Sequence, residues 1–295
     1  MNDVRVLFPN EPYDRKHVDS AYEEEFNACK SFEIKTYFYD YEELVENDKF
    51  ISNIDSESNN VTIVYRGWML KPKSYDLLYY KILEKTNGYY TLLNSPKQYS
   101  NCHCFPYIYN DIKEFTPIIT VLDNWKDMNL LFATIMKIDY NFFIKDYVKS
   151  TKTEKGIVSF TPFIGMVDLE KEIKKFINDR GNLFTNGIVF KEFVELKKIK
   201  NKTNEWRAFY ANGKLIDLAN NVDEDISDNN CPPSELIDKL GEIISEKSNF
   251  FTVDFALTNE DKWIVIETGD GGVSGLTPQC NAFAFYNKLI DSLTI

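Results

Sequence analysis

Two strand-like apolar runs near the C-terminus, residues 251–257 and 263–267, flank the polar turn 259–262, a spacing that restricts the segment to a β-hairpin. If residues 259–262 form a four-residue loop, Asp254 stands opposite Glu267 on the same face. Facing carboxylates, with Cβ atoms roughly 5 Å apart, repel each other unless a cation or a shared proton neutralises them. Directly after Glu267 comes Thr268-Gly-Asp-Gly-Gly-Val-Ser-Gly275, a glycine-rich turn where backbone can approach a ligand and Asp270 adds a third carboxylate. Oxygen-only ligands suit magnesium or manganese. The alternative is an ordinary hairpin with one solvated acid and a flexible turn; the combination of features favours the metal.

A nucleotide held by such a metal site also needs basic groups, because a triphosphate carries more charge than its metal ions cancel. Lys145 ends the run Asn141-Phe-Phe-Ile-Lys and Lys191 ends Gly187-Ile-Val-Phe-Lys, so each follows an apolar strand and can project into a cleft; solvated strand-end lysines are the alternative. Arg207 lies in Glu205-Trp-Arg-Ala-Phe-Tyr-Ala-Asn-Gly213, where alternation puts Glu205 on the same face and a simple ion pair is the plainer reading. Arg66 follows the buried-looking run 61–65, at a strand end, where α/β folds place ligand groups. It is a candidate for a substrate carboxylate or for a structural ion pair. Neither His17 nor His103 stands where acid–base catalysis is expected.

The remainder of the chain frames these residues. At 295 residues, two domains sharing a cleft are as well accommodated as one large domain. Runs at 4–8 and 61–65 read as buried strands, with helix-like stretches at 19–30 and 74–85, the second closing at Asn87-Gly88. Strands alternating with helices indicate an α/β N-terminal domain. A Tyr- and Pro-bearing segment, 94–117, leads to the strand-like 118–121. From residue 141 short strands with hairpin signals, interrupted by a helix-like stretch at 167–178, indicate α+β structure. Residues 221–230 are polar enough for a mobile surface loop.

The net charge of -12 opposes sequence-general nucleic-acid binding. The opening residues lack a basic start followed by an apolar run, and no stretch reaches membrane-spanning length, so no membrane association and a cytoplasmic location are expected. Five scattered cysteines argue for reduced thiols, and the spacing in Cys102-His103-Cys104 is too close for a usual zinc site.

The order Lys145, Lys191-Glu-Phe-Val-Glu195, Glu205-Trp-Arg207, Asp254 and Glu267 resembles the ATP-grasp superfamily. Tyr65-Arg-Gly-Trp-Met-Leu, Asn94-Ser-Pro and Phe105-Pro further resemble its clade named for one arginine and two lysines. The resemblance implies an N-terminal α/β, pre-ATP-grasp-like domain (1–116) and an ATP-grasp domain (117–295) whose two α+β subdomains (117–191 and 192–295) clamp the nucleotide. It implies that Lys145 and Lys191 contact phosphates and the adenine edge, that Glu192, Phe193 and Val194 form the hinge that reads adenine, and that Glu195 accepts from the ribose. Arg207 would steady the transferred phosphate, while Asp254, Glu267 and Asp270 would hold two Mg2+ ions, with Mn2+ as an alternative. Two positions depart from the pattern. Gly269 stands where many members have asparagine, leaving Asp270 as the substitute, and the loop Ser150-Thr-Lys-Thr-Glu-Lys-Gly156 carries lysines where glycines are usual. Lys149 and Lys152 there either contact phosphate or belong to a solvated basic loop.

The implied activity is that of an ATP- and Mg-dependent carboxylate-amine ligase working through an acyl phosphate, on an amino acid, a peptide or a protein tail. The rivals are nucleotidyl transfer through Lys145 and an ATP-binding module without turnover. Trp68, Tyr75 and Tyr99 join Arg66 as candidates for the acceptor's surroundings.

Overall fold

The computed structural model describes residues 3–151, 157–221 and 231–294. The N-terminal sheet is built from β1 (Asp3–Glu11), β2 (Asp14–Val18), β3 (Thr36–Tyr39), β4 (Val61–Tyr65) and β5 (Tyr90–Leu92), with α1 (Glu23–Ser31), α2 (Tyr41–Asn47) and α3 (Pro72–Lys85) between strands. β3, β1, β4 and β5 run parallel, and β2 turns back antiparallel on the end of β1. Near-continuous apolar strands buried on both faces are what a helix-covered parallel sheet demands. α3 begins at Pro72 and ends before Asn87 and Gly88, both at positive φ, as the sequence indicates.

Two helices then occupy the Pro-bearing segment, α4 (Pro96–His103) and α5 (Phe105–Ile112). The prolines there start helices rather than prevent them, because each sits in a first turn whose N–H groups lack intrahelical partners anyway. Ser95 and Gln98 close a capping box at the start of α4.

The central lobe contains β6 (Ile119–Leu122), α6 (Met128–Ile135), β7 (Phe142–Lys145), β8 (Ser159–Phe160), α7 (Met166–Arg180) and β9 (Ile188–Glu192), in the antiparallel order β6-β9-β7-β8. The C-terminal lobe follows: a small hairpin of β10 (Lys198–Ile199) and β11 (Lys202–Thr203), then β12 (Glu205–Ala211), β13 (Lys214–Asn220), α8 (Ser234–Ser245), β14 (Phe250–Leu257), β15 (Trp263–Asp270) and α9 (Ala282–Leu293). Its sheet runs β13-β12-β14-β15, antiparallel throughout. The fold is therefore mixed: an α/β N-terminal unit followed by two α+β lobes. No helix among the described residues is long and apolar enough to cross a membrane.

Packing fixes how the lobes meet. One face of the C-terminal sheet carries Phe251, Val253 and Phe255 against Phe105, Ile108 and Ile112 of α5 and Leu240 of α8. The other carries Phe209 and Phe250 into a cluster with Val6, Phe8, Ala28, Phe285 and Tyr286, so α1 and α9 join the two sheets. The central lobe has its own core around Phe142, Phe190, Leu169 and Ile173. Between central and C-terminal lobes lies a cleft of about 1260 Å³.

Candidate active site

The hairpin supplies the cleft's floor. Asp254 pairs with Glu267, as the sequence arithmetic requires, although two departures compensate to give that result. Leu257 pairs with Trp263, so the connecting loop is one residue longer than expected, and a bulge between Val265 and Glu267 restores the register at the acids. The extra residue, Ile266, leaves the ladder with its carbonyl available. Lys191 Nζ donates to that carbonyl at 2.7 Å.

Cross-strand pairing also brings Arg207 opposite Asp254. Its Nε and Nη2 donate to the two carboxylate oxygens, both at 2.7 Å, and Nη1 donates to the Gly275 carbonyl at 3.0 Å. The ion partner of Arg207 is thus Asp254 across the sheet; Glu205 instead accepts from Thr203. Burial disfavours the guanidinium, but the charge of Asp254 outweighs it and raises the Arg207 pKa.

Glu267 is neutralised from the opposite lobe. Lys149 Nζ lies 2.6 Å from one carboxylate oxygen and Lys145 Nζ 3.7 Å from the other. Burial alone would raise the Glu267 carboxyl, yet Lys149, then Lys145, hold it down at about 2. The turn that aims Lys149 is shaped by the buried Asp146, which accepts from the Val148 and Lys149 amides and pairs with Arg180. Lys145 and Lys191 are both buried, and burial lowers both pKa values, Lys191 well below its ordinary range, whereas at Lys145 the charges of Glu267 and Asp146 oppose the effect of burial. Phe105 lies beneath both ammonium groups, its ring centroid 3.9 Å from Lys191 Nζ and 5.0 Å from Lys145 Nζ.

Four cations, Lys145, Lys149, Lys191 and Arg207, therefore surround two carboxylates, in a chain whose net charge is -12. A local excess of positive charge inside an acidic protein attracts a polyanion. Residues 192–195 line the same cleft. Glu192 and Phe193 are tied by backbone amides to the carbonyls of Ile118 and Asn141, while Glu195 accepts from the side chain and amide of Asn259 in the hairpin loop.

Two predicted residues lie elsewhere. Asp270 does not join Asp254 and Glu267: β15 continues through it, and a strand residue three positions after Glu267 faces the opposite side of the sheet. There it pairs with Phe251, accepts from Asn94 at 2.6 Å and from the Gly272 amide at 2.7 Å, and burial pushes its carboxyl up to about 7. Tyr75 and Tyr99, stacked 3.8 Å apart, are buried on that side too. Arg66 is fully buried, not free for a substrate carboxylate. Its fork grips Glu25 at 2.7 and 2.8 Å, and Nη1 donates to the carbonyls of Gly271 and Ser274. Both residues fix the glycine turn, whose last carbonyl is held by Arg207. Trp68 remains 42% exposed. Lys152 and residues 222–230, named in the sequence analysis, lie outside the described residues.

Among the described residues no group of three or more His, Cys, Asp and Glu side chains is arranged to hold a metal. Two facing carboxylates nevertheless fit magnesium, which commonly takes one or two acids and completes its shell with phosphate oxygens and water. Sequence reasoning does not identify Lys149 as the main counter-ion of Glu267 nor the carbonyl that binds Lys191, because one depends on contact across 118 residues and the other on a bulge.

Residues 134–289 match the family model described as an ATP-grasp domain, family 3 of the clade named for one arginine and two lysines. No curated protein matches the chain in sequence. Solved structures with a similar fold include the ATP-grasp ligase PsnB complexed with a phosphomimetic variant of its minimal precursor, Mg and ADP (11% identity, TM-score 0.55, 99% of each chain covered). D-alanyl-alanine synthetase A from Vibrio cholerae aligns over 100% of both chains (11% identity, TM-score 0.55). The macrocyclase MdnC from Microcystis aeruginosa, bound with precursor peptide MdnA, aligns over 97% of this chain and 99% of its own (12% identity, TM-score 0.56).

Proposed function

The chain belongs to family 3 of the arginine-and-two-lysine clade of ATP-grasp domains, and on that premise we propose that it is an ATP- and magnesium-dependent carboxylate-amine ligase. The observation that carries this reading is the set of four cations around the facing pair Asp254 and Glu267, set in the floor of the large interlobe cleft. The similar folds of a D-alanyl-alanine synthetase, of the ligase PsnB complexed with its minimal precursor and of the macrocyclase MdnC bound with its precursor peptide support an amino acid or a peptide as substrate, a protein tail being the larger form of the latter. Unpaired cysteines agree with work in the cytoplasm.

In this reading Lys145 and Lys191 hold phosphate oxygens from the central lobe while Arg207 and Lys149 hold the transferred phosphate from either side. Residues 192–194 line the adenine end, and Glu195 accepts from the ribose. Magnesium bound at Asp254 and Glu267 supplies neutralisation of the charge that builds on the phosphates. The donor carboxylate attacks the γ-phosphorus as its bond to the bridging oxygen breaks and ADP leaves. The amine nitrogen then attacks the acyl carbon, loses a proton, and phosphate departs. Positioning and charge do this work without a nucleophilic side chain.

The test incubates the protein with ATP, magnesium and pooled amino acids and peptides, following ADP, AMP and phosphate beside Asp254→Ala and Glu267→Ala. ADP and phosphate release that both substitutions abolish is the expected result. AMP, or an adenylylated Lys145, would move the assignment to nucleotidyl transfer, and tight ATP binding without any product would favour an acceptor missing from the pool or a binding module.

A further inference from the structure

The carboxyl ends of β1, β3 and β4 open onto a second cavity, of about 1190 Å³. Open α/β sheets bind ligands at this edge. Its size exceeds the roughly 300–1,000 Å³ usual for small-molecule pockets, which suits a stretch of polypeptide better than one amino acid. It adjoins the nucleotide cleft: Arg180 lines that cleft, Leu183 lines this cavity, and Arg180 Nη2 donates to the Leu183 carbonyl at 3.2 Å. Met69, also at the cavity, packs with Tyr147 and Val148, next to Lys149.

Trp68 borders the cavity as a fixed yet open ring. Its Nε1 donates to Asp19 at 2.7 Å and its ring meets Tyr22 edge-on at 5.5 Å, while the residue stays 42% exposed. An immobilised indole facing solvent is a good partner for a cation. Charge indicates the same ligand. Asp14, Asp19, Asp40, Glu42, Glu43 and Glu46 line the cavity against the bases Arg15 and Lys16, and Arg15 pairs only with Asp40 among the described residues. Glu42 and Glu46 lie one turn apart on α2, where like charges repel, and neither has an ion-pair or hydrogen-bond partner for its carboxylate among the described residues.

We infer that this cavity seats a Lys- or Arg-bearing stretch of a peptide substrate, whose reacting group lies in the neighbouring nucleotide cleft. The inference rests on the ligase reading above. Two adjoining clefts of opposite sign orient such a substrate, its basic residues in the acidic cavity and its carboxylate toward Lys149 and Arg207.

Fluorescence anisotropy with the full chain tests it, using a labelled decapeptide of lysine, arginine and alanine beside one of glutamate and alanine, at an ionic strength of about 0.15 M. Glu42→Lys/Glu46→Lys is expected to weaken binding of the basic peptide by about tenfold or more. The matched reversal on α8, Asp238→Lys/Glu242→Lys, changes the net charge equally and should leave binding within about twofold. Equal losses in both variants, or equal affinity for the glutamate peptide, would overturn the assignment. A fluorescent ATP analogue is titrated into the same proteins. Nucleotide binding retained without peptide selectivity overturns the cavity assignment alone, whereas no nucleotide binding in the unsubstituted chain overturns the ligase reading and the inference with it.

Discussion

Both hairpin acids are already engaged by bases, so magnesium alone should bind weakly and nucleotide should bring it in. The Arg207 fork on Asp254 is bidentate, both bonds at 2.7 Å, with side chains 15% and 9% exposed. Charged hydrogen bonds contribute about 1.5–3 kcal/mol each, and two within one fork act as a unit worth about 3 kcal/mol. The Lys149–Glu267 pair is short, but Lys149 is 39% exposed, so solvent screening reduces it to about 1 kcal/mol. Freeing both carboxylates for a metal thus costs about 4 kcal/mol, roughly three powers of ten in affinity. On the proposed reading, Arg207 and Lys149 would gain phosphate oxygens when nucleotide is present, and the loss would be offset. Calorimetric titration should show little heat from magnesium chloride up to millimolar concentration and clear binding of magnesium with a non-hydrolysable ATP analogue. In Arg207→Met/Lys149→Met the order reverses: magnesium alone binds up to about a thousandfold more tightly while nucleotide binds more weakly. Tight binding of magnesium by the unsubstituted chain, or no gain in the double variant, refutes the reasoning.

Lys191→Met keeps the volume over Phe105 and removes a buried cation, so stability in urea should stay within about 1 kcal/mol while nucleotide affinity drops roughly tenfold to a hundredfold; unchanged affinity would remove Lys191 from the phosphate site. A Cβ at residue 272 would stand 2.7 Å from the Tyr65 carbonyl, so Gly272→Ala should cost about 1–3 kcal/mol, whereas Gly275→Ala, with nothing within 4 Å, should be nearly neutral; thermal unfolding of the pair decides it. His103 is buried and stacked on Tyr99, and burial, followed by the Lys149 charge, lowers its pKa to about 3 from 6.5. The folded state holds it neutral while the unfolded chain takes up a proton, so its contribution is complete above pH 6.5 and is lost as pH falls toward 3. Urea unfolding across that range should show a shallower decline in His103→Phe; identical slopes would exclude His103 as a source of acid lability.

What the sequence discloses follows from which interactions are local. The pairing of Asp254 with Glu267 is legible because a hairpin's register depends on one short loop, and even a loop one residue longer than the spacing suggests is compensated by the bulge at Ile266. Asp270 escapes the same arithmetic for a related reason. Its glycine neighbours read as a turn, whereas Phe251 still pairs with it, and in a strand a single extra residue of length decides the face on which a side chain falls. The prolines at 96 and 106 are likewise ambiguous, since proline ends a helix from within but suits its first turn, and only burial of Tyr99, Phe105 and Ile108 against neighbouring sheets selects the helix. Arg66 stands at a strand end as expected, yet Glu25, forty-one residues earlier, and the carbonyls of Gly271 and Ser274, more than two hundred later, consume its donors. The same distinction separates the facing acids from their counter-ions. An acid's partner across a hairpin can be computed from spacing, and Arg207 reaches Asp254 from the adjoining strand, but Lys149, which neutralises Glu267, comes from the opposite lobe, where only the tertiary fold brings it near.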